Sequence, residues 1–307
     1  MVRRVIELTQ WIYHLVYFYY NTLLGICRKQ SLALPQSKIT YSYRFYFTKT
    51  KRAKWFNLFK ISRFPVNIPF TFYTPIAVRA FLRTLNHLKI NYKNILHLQH
   101  EEKFLGNVEP MQPNTPYRIE MRLDDIVFLR GQRIALLFNL LVFDEKQQQE
   151  FLQIKDVVFV KNISQADLLK LKDSKIYGNH TDRSLMRLAL RKPKFNDLSP
   201  IANTSVPKKM GVHYGMLSGD MNFIHTSKNM AKLFGYKDTF VQGMCTINYL
   251  LRAFCYDSEQ KSFKGFRVTF TNPVYESQQV YVRLHDHDFE LSSSCGEKLL
   301  AYGEILP

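Results

Sequence analysis

Residues 214–225 read YGMLSGDMNFIH and residues 242–244 read QGM, with Ala231 and Gly235 between them. Ser218-Gly219 lets the backbone turn sharply before Asp220. Asn222 is a residue type that hydrogen-bonds such a loop and holds it. Asp220 and His225 therefore place a carboxylate and an imidazole close together on one tight loop, where both can converge on a small ligand. An imidazole has an unperturbed pKa of about 6.5, which suits it to act as a base at neutral pH. A helix beginning near Gly243 would aim its free first-turn N–H groups at an oxygen gathering negative charge, and glycine leaves that approach open. Taken alone, an Asp-x-Asn-x-x-His run is more often a capped surface loop than a site. The flanking Ser-Gly, the Ala and Gly beyond it and the Gly243-Met244 pair set this one apart.

The stretch resembles the MaoC-like (R)-specific enoyl-thioester hydratase family. Its hallmark is Tyr-x-x-x-Ser-Gly-Asp-x-Asn-Pro-Ile-His, then Ala and Gly on the next helix, then His-Gly-Met. The similarity continues through FTNPVY at 270–275. More faintly, the run from Pro69 through ILH at 95–97 to Gly106 looks like the N-terminal half of two-hotdog members. The chain departs from the pattern at Phe223 (usually Pro), Gln242 (usually His) and Glu276-Ser277 (commonly Pro-Gly). The resemblance implies a reversible hydration of 2-enoyl to (R)-3-hydroxyacyl thioesters in fatty-acid metabolism. Asp220 and His225 would be the acid/base pair and the Gly243 N–H the oxyanion donor, with Ser218, Asn222, Gln242 and Met244 beside the substrate. The chemistry fits those residue types: one group must move the C2 proton and another the hydroxyl. No metal or redox cofactor is implied. The substrate itself carries coenzyme A or phosphopantetheine, so the partners are acyl-CoA or acyl carrier protein. The N-terminal half has no Ser-Gly-Asp…His equivalent. It is expected to be catalytically silent and to help shape the acyl pocket.

Working outward, a helix is predicted from about Gln242 to Phe254, followed by strands at Phe266–Phe270, Gln279–Leu284, Phe289–Ser293 and Leu299–Ile305. The same order occurs upstream. Thr74-Pro75 offers a capping hydroxyl followed by proline at a helix start. The helix Ile76–Leu88 leads to strands Tyr117–Leu123, Arg133–Phe143 and Phe151–Val160, with turns at Gly131 and Asp144-Glu145. A helix followed by several antiparallel strands, occurring twice, makes an α+β chain of two helix-wrapped-by-sheet units. With the resemblance this becomes a double hotdog. The expected divisions are an amphipathic helix at 1–30, a basic connector at 31–64 containing one aromatic-rich strand (Tyr41–Phe47), a non-catalytic hotdog at 65–195 and a catalytic one at 196–307. The polar stretch 163–206 reads as the connection between units.

The 307 residues carry a formal net charge of +18, concentrated at one end: residues 1–63 hold twelve Lys/Arg and the single acid Glu7. Such a basic end attracts polyanions, among them anionic lipid headgroups, acidic carrier proteins and the phosphates of coenzyme A. No nucleic-acid-binding motif accompanies it, which argues against DNA or RNA. From Val5 to Ile26 the chain is mostly apolar, but Glu7, His14, Asn21 and Arg28 recur every seven residues as a narrow polar stripe. Three readings stay open: a helix lying in a membrane surface, a helix packed on protein, and a true span. Cys27, Cys245, Cys255 and Cys295 form no C-x-x-C pair and no zinc spacing. They suit a reducing cytoplasm, with the N-terminal helix allowing peripheral attachment at an inner membrane, and a monomer or homodimer. His285-Asp286-His287-Asp288 reads as a solvated hairpin end, not a metal site. The competing class of function is a non-catalytic, membrane-associated acyl-thioester or lipid-binding hotdog protein.

Overall fold

The computed structural model describes residues 16, 19–20, 23–60, 71–105, 115–146, 149–178, 199–256, 264–293 and 298–306. Most of the apolar N-terminal stretch, Pro65, Pro69, Gly106 and residues 179–198 of the expected connection lie outside them, as do Cys255's side chain and Cys295. Among the described residues no helix is long and apolar enough to cross a membrane.

The strands are β1 (Thr40–Tyr46), β2 (Ile95–Phe104), β3 (Pro116–Leu129), β4 (Arg133–Asp144), β5 (Gln149–Val160), β6 (Ala202–Ser205), β7 (Gly265–Phe270), β8 (Gln279–His285), β9 (Asp288–Ser293) and β10 (Leu299–Leu306). They join into a continuous antiparallel sheet in the order β1-β3-β4-β5-β2-β7-β10-β9-β8-β6. The two units meet where β2 pairs with β7, from Gln99 opposite Thr269 to Lys103 opposite Gly265. The helices are α1 (Lys49–Phe59), α2 (Thr74–His87), α3 (Gln165–Lys172), α4 (Met210–Ser218), α5 (Phe223–Thr226), α6 (Lys228–Leu233) and α7 (Gly243–Tyr256). The long helices α2 and α7 each lie against one half of the sheet. Their buried faces, among them Ala80 and Leu85 on α2 and Ile247 and Leu250 on α7, join one core with Leu136 and Val142 of β4 and Val280 and Leu291 of β8 and β9.

The start of α2 differs in detail from the expected cap. Thr74 is already helical, and its hydroxyl donates back to the Thr71 carbonyl instead of capping the helix, while Tyr73 occupies the cap position. The stretch expected to be a connector is more structured than its charge suggests. Its aromatic strand is β1, which pairs with β3 at the sheet edge. α1 follows, capped by the Thr48 hydroxyl, which accepts from Lys51 N–H. That helix buries Trp55 and Phe59 and leaves Lys49 and Lys54 exposed. The Trp55 indole N–H donates to Asn248 Oδ1 at 2.9 Å in the core, tying α1 to α7. The end of the N-terminal segment also packs on the protein. Arg28 donates to the Asn86 carbonyl at the end of α2, and Tyr19 lies with its ring centroid 4.8 Å from that of Phe223.

Candidate active site

α4 ends at Gly219, whose φ of +79° is the left-handed conformation that stops a helix. The chain then turns back over α4. A Cβ on Gly211 would lie 2.2 Å from the His225 carbonyl oxygen, so only glycine admits the returning loop there. Asn222 caps α5 through its side-chain oxygen, which accepts from Ile224 N–H at 3.4 Å, and so sets His225 on a fixed turn. The His225 Nδ1 lies 2.8 Å from the Phe240 carbonyl. A carbonyl can only accept, so Nδ1 carries the proton and Nε2 is left with a bare lone pair. Burial pushes the His225 pKa down, and the Asp220 charge and the Phe240 bond only partly offset this. His225 is therefore neutral at neutral pH, the form in which imidazole accepts a proton.

Asp220, Asn222, His225, Gly243 and Met244 all line one cavity of about 310 Å³. Ser218 and Gln242, expected beside the substrate, stand behind the loop instead. Ser218 is fully buried and its hydroxyl accepts from Asp220 N–H. Gln242 is buried too, and its amide donates to the carbonyls of Gly211 (2.9 Å) and Asp220 (2.8 Å). Neither lines the cavity; the Ser218 hydroxyl and the Gln242 amide nitrogen are both turned onto the backbone that holds Asp220. The other departures from the family pattern also have structural partners. Phe223 meets Tyr19. Glu276 accepts from the N–H groups of Lys209 and Gly211, an acid at a helix N-terminus. Ser277 takes the left-handed φ of 61° at the position where glycine is common.

Gly243 opens α7, and its first-turn N–H has no intrahelical acceptor. A Cβ there would sit 3.2 Å from Phe270 Cζ and 3.5 Å from His97 Nδ1. The missing side chain keeps this corner of the cavity free for an oxygen. Beyond it the lining turns apolar: Ala77, Val78, Phe81 and Leu85 of α2 face Phe138 and Val158 of the sheet. The cavity therefore has a polar corner at one end and an apolar recess at the other.

The N-terminal half, expected to be silent, brings its own polar groups to this cavity. β2 carries a bulge against β5 between His97 and Gln99. In a regular strand residues 97 and 100 would face opposite sides, and the extra residue turns both rings to one side. His97 Nε2 and His100 Nδ1 converge on Asp156 Oδ1 at 2.8 and 2.7 Å. His100 Nε2 reaches Glu102 Oε1 at 3.0 Å, and the Tyr73 hydroxyl donates to the same oxygen at 2.5 Å. His100 and Glu102 are fully buried. Burial alone would lower the His100 pKa, but Asp156 and Glu102 outweigh it and raise it to about 9. Burial likewise works to raise Asp156, and the two histidines hold it well below the usual carboxylate range. Sequence spacing hid this group, since Asp156 is supplied by another strand. Its three ligand-type residues His97, His100 and Asp156 keep donor atoms within 4.8 Å of one another. The 2.7 and 2.8 Å separations are hydrogen-bond lengths. They are shorter than the roughly 3.3 Å between ligands held at about 2.0–2.1 Å around a tetrahedral zinc ion. His285 and Asp288 close the β8–β9 hairpin, with the Asp286-His287 turn exposed between them.

Residues 190–298 match the family described as MaoC like domain. This segment is similar to MaoC-like domains. Two curated relatives match parts of the chain. Peroxisomal multifunctional enzyme type 2 of Drosophila melanogaster is 37% identical over 71 residues, 22% of this chain and 12% of the relative. Probable enoyl-CoA hydratase 2 of Dictyostelium discoideum is 26% identical over 109 residues, 34% of this chain and 37% of the relative. The matched chain thus spans well under two thirds of either relative's length. Among solved structures, HtdX of Mycobacterium tuberculosis superposes with a TM-score of 0.64 at 13% identity, covering 87% of this chain and 99% of that one. The fold is a double hotdog.

Proposed function

We propose that the protein catalyses the reversible hydration of a 2-enoyl thioester to an (R)-3-hydroxyacyl thioester. The observation that carries the reading is the meeting of Asp220, the bare Nε2 of His225 and the Gly243 N–H around one cavity with an apolar recess. In the dehydration direction His225 Nε2 takes the C2 proton, and the electron pair of that bond moves onto the thioester oxygen beside the Gly243 N–H. The C3 hydroxyl leaves as water with a proton delivered through Asp220. Hydration is the reverse. No redox cofactor enters, because adding water changes no net oxidation state. Preorganised N–H donors are worth most at such an oxygen because they need no reorganisation as charge develops. The thioester handle is coenzyme A or a carrier-protein pantetheine, and the net charge of +18 favours either anionic partner. The (R) stereochemistry and the thioester class come from the likeness to the MaoC-like family and its hydratase relatives.

The test is turnover of trans-2-enoyl-CoA of increasing chain length by the full chain, with chiral analysis of the product. Formation of the (R)-3-hydroxyacyl-CoA supports the reading. Binding of acyl-CoA at every length with no turnover at any would refute it in favour of a non-catalytic thioester binder.

A further inference from the structure

We propose that an exposed apolar face near the N-terminus docks the protein onto the surface of an anionic lipid bilayer. The inference is independent of the hydratase reading. The backbone is helical at Val16, Tyr19 and Tyr20 and from 23 to 27. Positions 16, 20, 23, 24 and 27 are spaced i, i+4, i+7, i+8 and i+11, so they share one face of a helix. All of them are exposed: Val16 at 61%, Tyr20 at 63%, Leu23 at 50% and Leu24 at 41%, with Cys27 beyond them. The other described positions of the helix meet protein. Tyr19 lies against Phe223, and Ile26 is buried. A Cβ on Gly25 would stand 2.6 Å from the Tyr92 ring, so the glycine lets the helix settle close to the body of the protein. The end of the helix is clamped in that position. Asn91 Nδ2 donates to the carbonyls of Ile26 at 3.3 Å and Arg28 at 2.6 Å, and Arg28 donates to the Asn86 carbonyl at 3.0 Å. The exposed face is therefore held pointing outward.

Charge identifies what covers this face. A single exposed leucine is ordinary, but large apolar side chains gathered on one face mark an interaction surface. Cations stand around the end of the helix. Lys29 follows it and is exposed. Ser31 N–H donates to the Lys89 carbonyl and Gln30 to the Lys161 carbonyl, which brings two more exposed lysines to the same end. At the other end of the apolar stretch the sequence carries Arg3 and Arg4, and residues 1–63 hold twelve Lys/Arg against the single acid Glu7. An apolar face edged by cations suits a helix lying in the plane of a bilayer: the apolar side chains enter the boundary of headgroups and acyl chains, and the cations meet anionic headgroups. A second copy of the chain fits less well. A two-fold contact through this face would set the lysines of one copy against those of the other. Docking also bears on the cavity. Tyr92, the residue against Gly25, lines it together with Ile95 and Leu96. A bilayer on the exposed face would thus lie one helix away from this wall of the cavity.

The experiment is flotation of the full chain with vesicles of phosphatidylcholine alone and of phosphatidylcholine with about one third phosphatidylglycerol. The wild type is expected to float with the anionic vesicles, and far less with the neutral ones or in high salt. Replacing Leu23 and Leu24 together by aspartate should weaken partition by about tenfold or more, since each leucine withdrawn from lipid is alone worth about that factor. Lys29→Gln and Lys89→Gln should each weaken binding to the anionic vesicles by about fivefold and leave the neutral ones unaffected. Ile201→Asp, at an exposed apolar residue ahead of β6, is the control and should float like the wild type. A thermal melt checks that each variant folds, and Tyr20→Ser carries the readout if the double aspartate variant does not. A wild type that stays behind when anionic vesicles float refutes the proposal. A folded double aspartate variant that floats as well as the wild type refutes it too. Flotation that resists alkaline carbonate would mean a membrane span in place of a docked face. A wild-type dimer in light scattering that the double substitution turns into monomers would make a second copy the occupant. Either result would also overturn the proposal.

Discussion

Replacing Gly211 by alanine places a methyl group where the returning loop passes, so it tests whether the loop's position matters as argued. The added Cβ would stand 2.2 Å from the His225 carbonyl oxygen. Carbon and carbonyl oxygen approach no closer than about 3.3 Å even in favourable C–H···O contacts, so one of the two must move by about 1 Å. The helix side is held by Glu276, which accepts from Lys209 and Gly211 N–H, and by Gln242, which donates to the Gly211 carbonyl. Around His225 the loop is held by Asn222 and by the His225–Phe240 bond, while Gln242 grips it further back at the Asp220 carbonyl. The loop gives way, and His225 moves with it. A displacement of about 1 Å at a catalytic group costs about 100-fold in rate. Overpacking also costs about 1–3 kcal/mol in stability, which leaves most domains folded. The assay is kcat for enoyl-CoA hydration beside a thermal melt. Met216→Ala, on an exposed face of the same helix, is the control and should change neither. A folded Gly211→Ala protein with kcat within twofold of wild type would show that His225 placement does not govern the reaction.

Other expectations follow from the buried groups. An unfolded histidine releases its proton near 6.5, whereas folded His100 holds its proton to about 9. The folded state therefore binds the extra proton between those values. The stability it contributes, about 3 kcal/mol at roughly 1.4 kcal/mol per pH unit, is complete below 6.5 and is lost as pH rises through 9. Denaturant midpoints measured across that range should fall, and His100→Gln should flatten the dependence. His225 has the opposite sign, because its folded pKa is depressed. Its contribution is lost as pH drops below 6.5, while kcat/KM should hold to a lower pH than a free imidazole would allow. Trp55→Phe removes the indole N–H and leaves Asn248 Oδ1 buried without that donor. The expected cost is about 1–3 kcal/mol in urea unfolding.

The MaoC-like loop was legible because its chemistry is local: turn, cap, carboxylate and imidazole lie within one short run from Ser218 to His225. The two long helices and the strands β3–β5 and β7–β10 were legible because their apolar residues repeat at the helical or alternating period. β2 was not, although it joins the two units. Its central residues Gln99, His100 and Glu102 are polar yet buried, and their partners Asp156 and Tyr73 come from elsewhere in the chain. α1 escaped because its basic residues mask a face of only Trp55 and Phe59. Gln242 and Ser218 were expected at the ligand because they neighbour residues that touch the cavity. Sequence distance does not tell which way a side chain turns, and both turn onto backbone.

The most direct measurement pairs affinity with turnover in one substitution. Asp220→Asn keeps the shape of the loop and removes the charge and the proton it moves. Isothermal titration should give hexanoyl-CoA nearly the same Kd as for the wild type, while hydration of crotonyl-CoA falls by about 10²–10⁴-fold, the range for a lost acid–base group. Equal turnover in the two proteins at saturating substrate would mean that Asp220 does no chemistry.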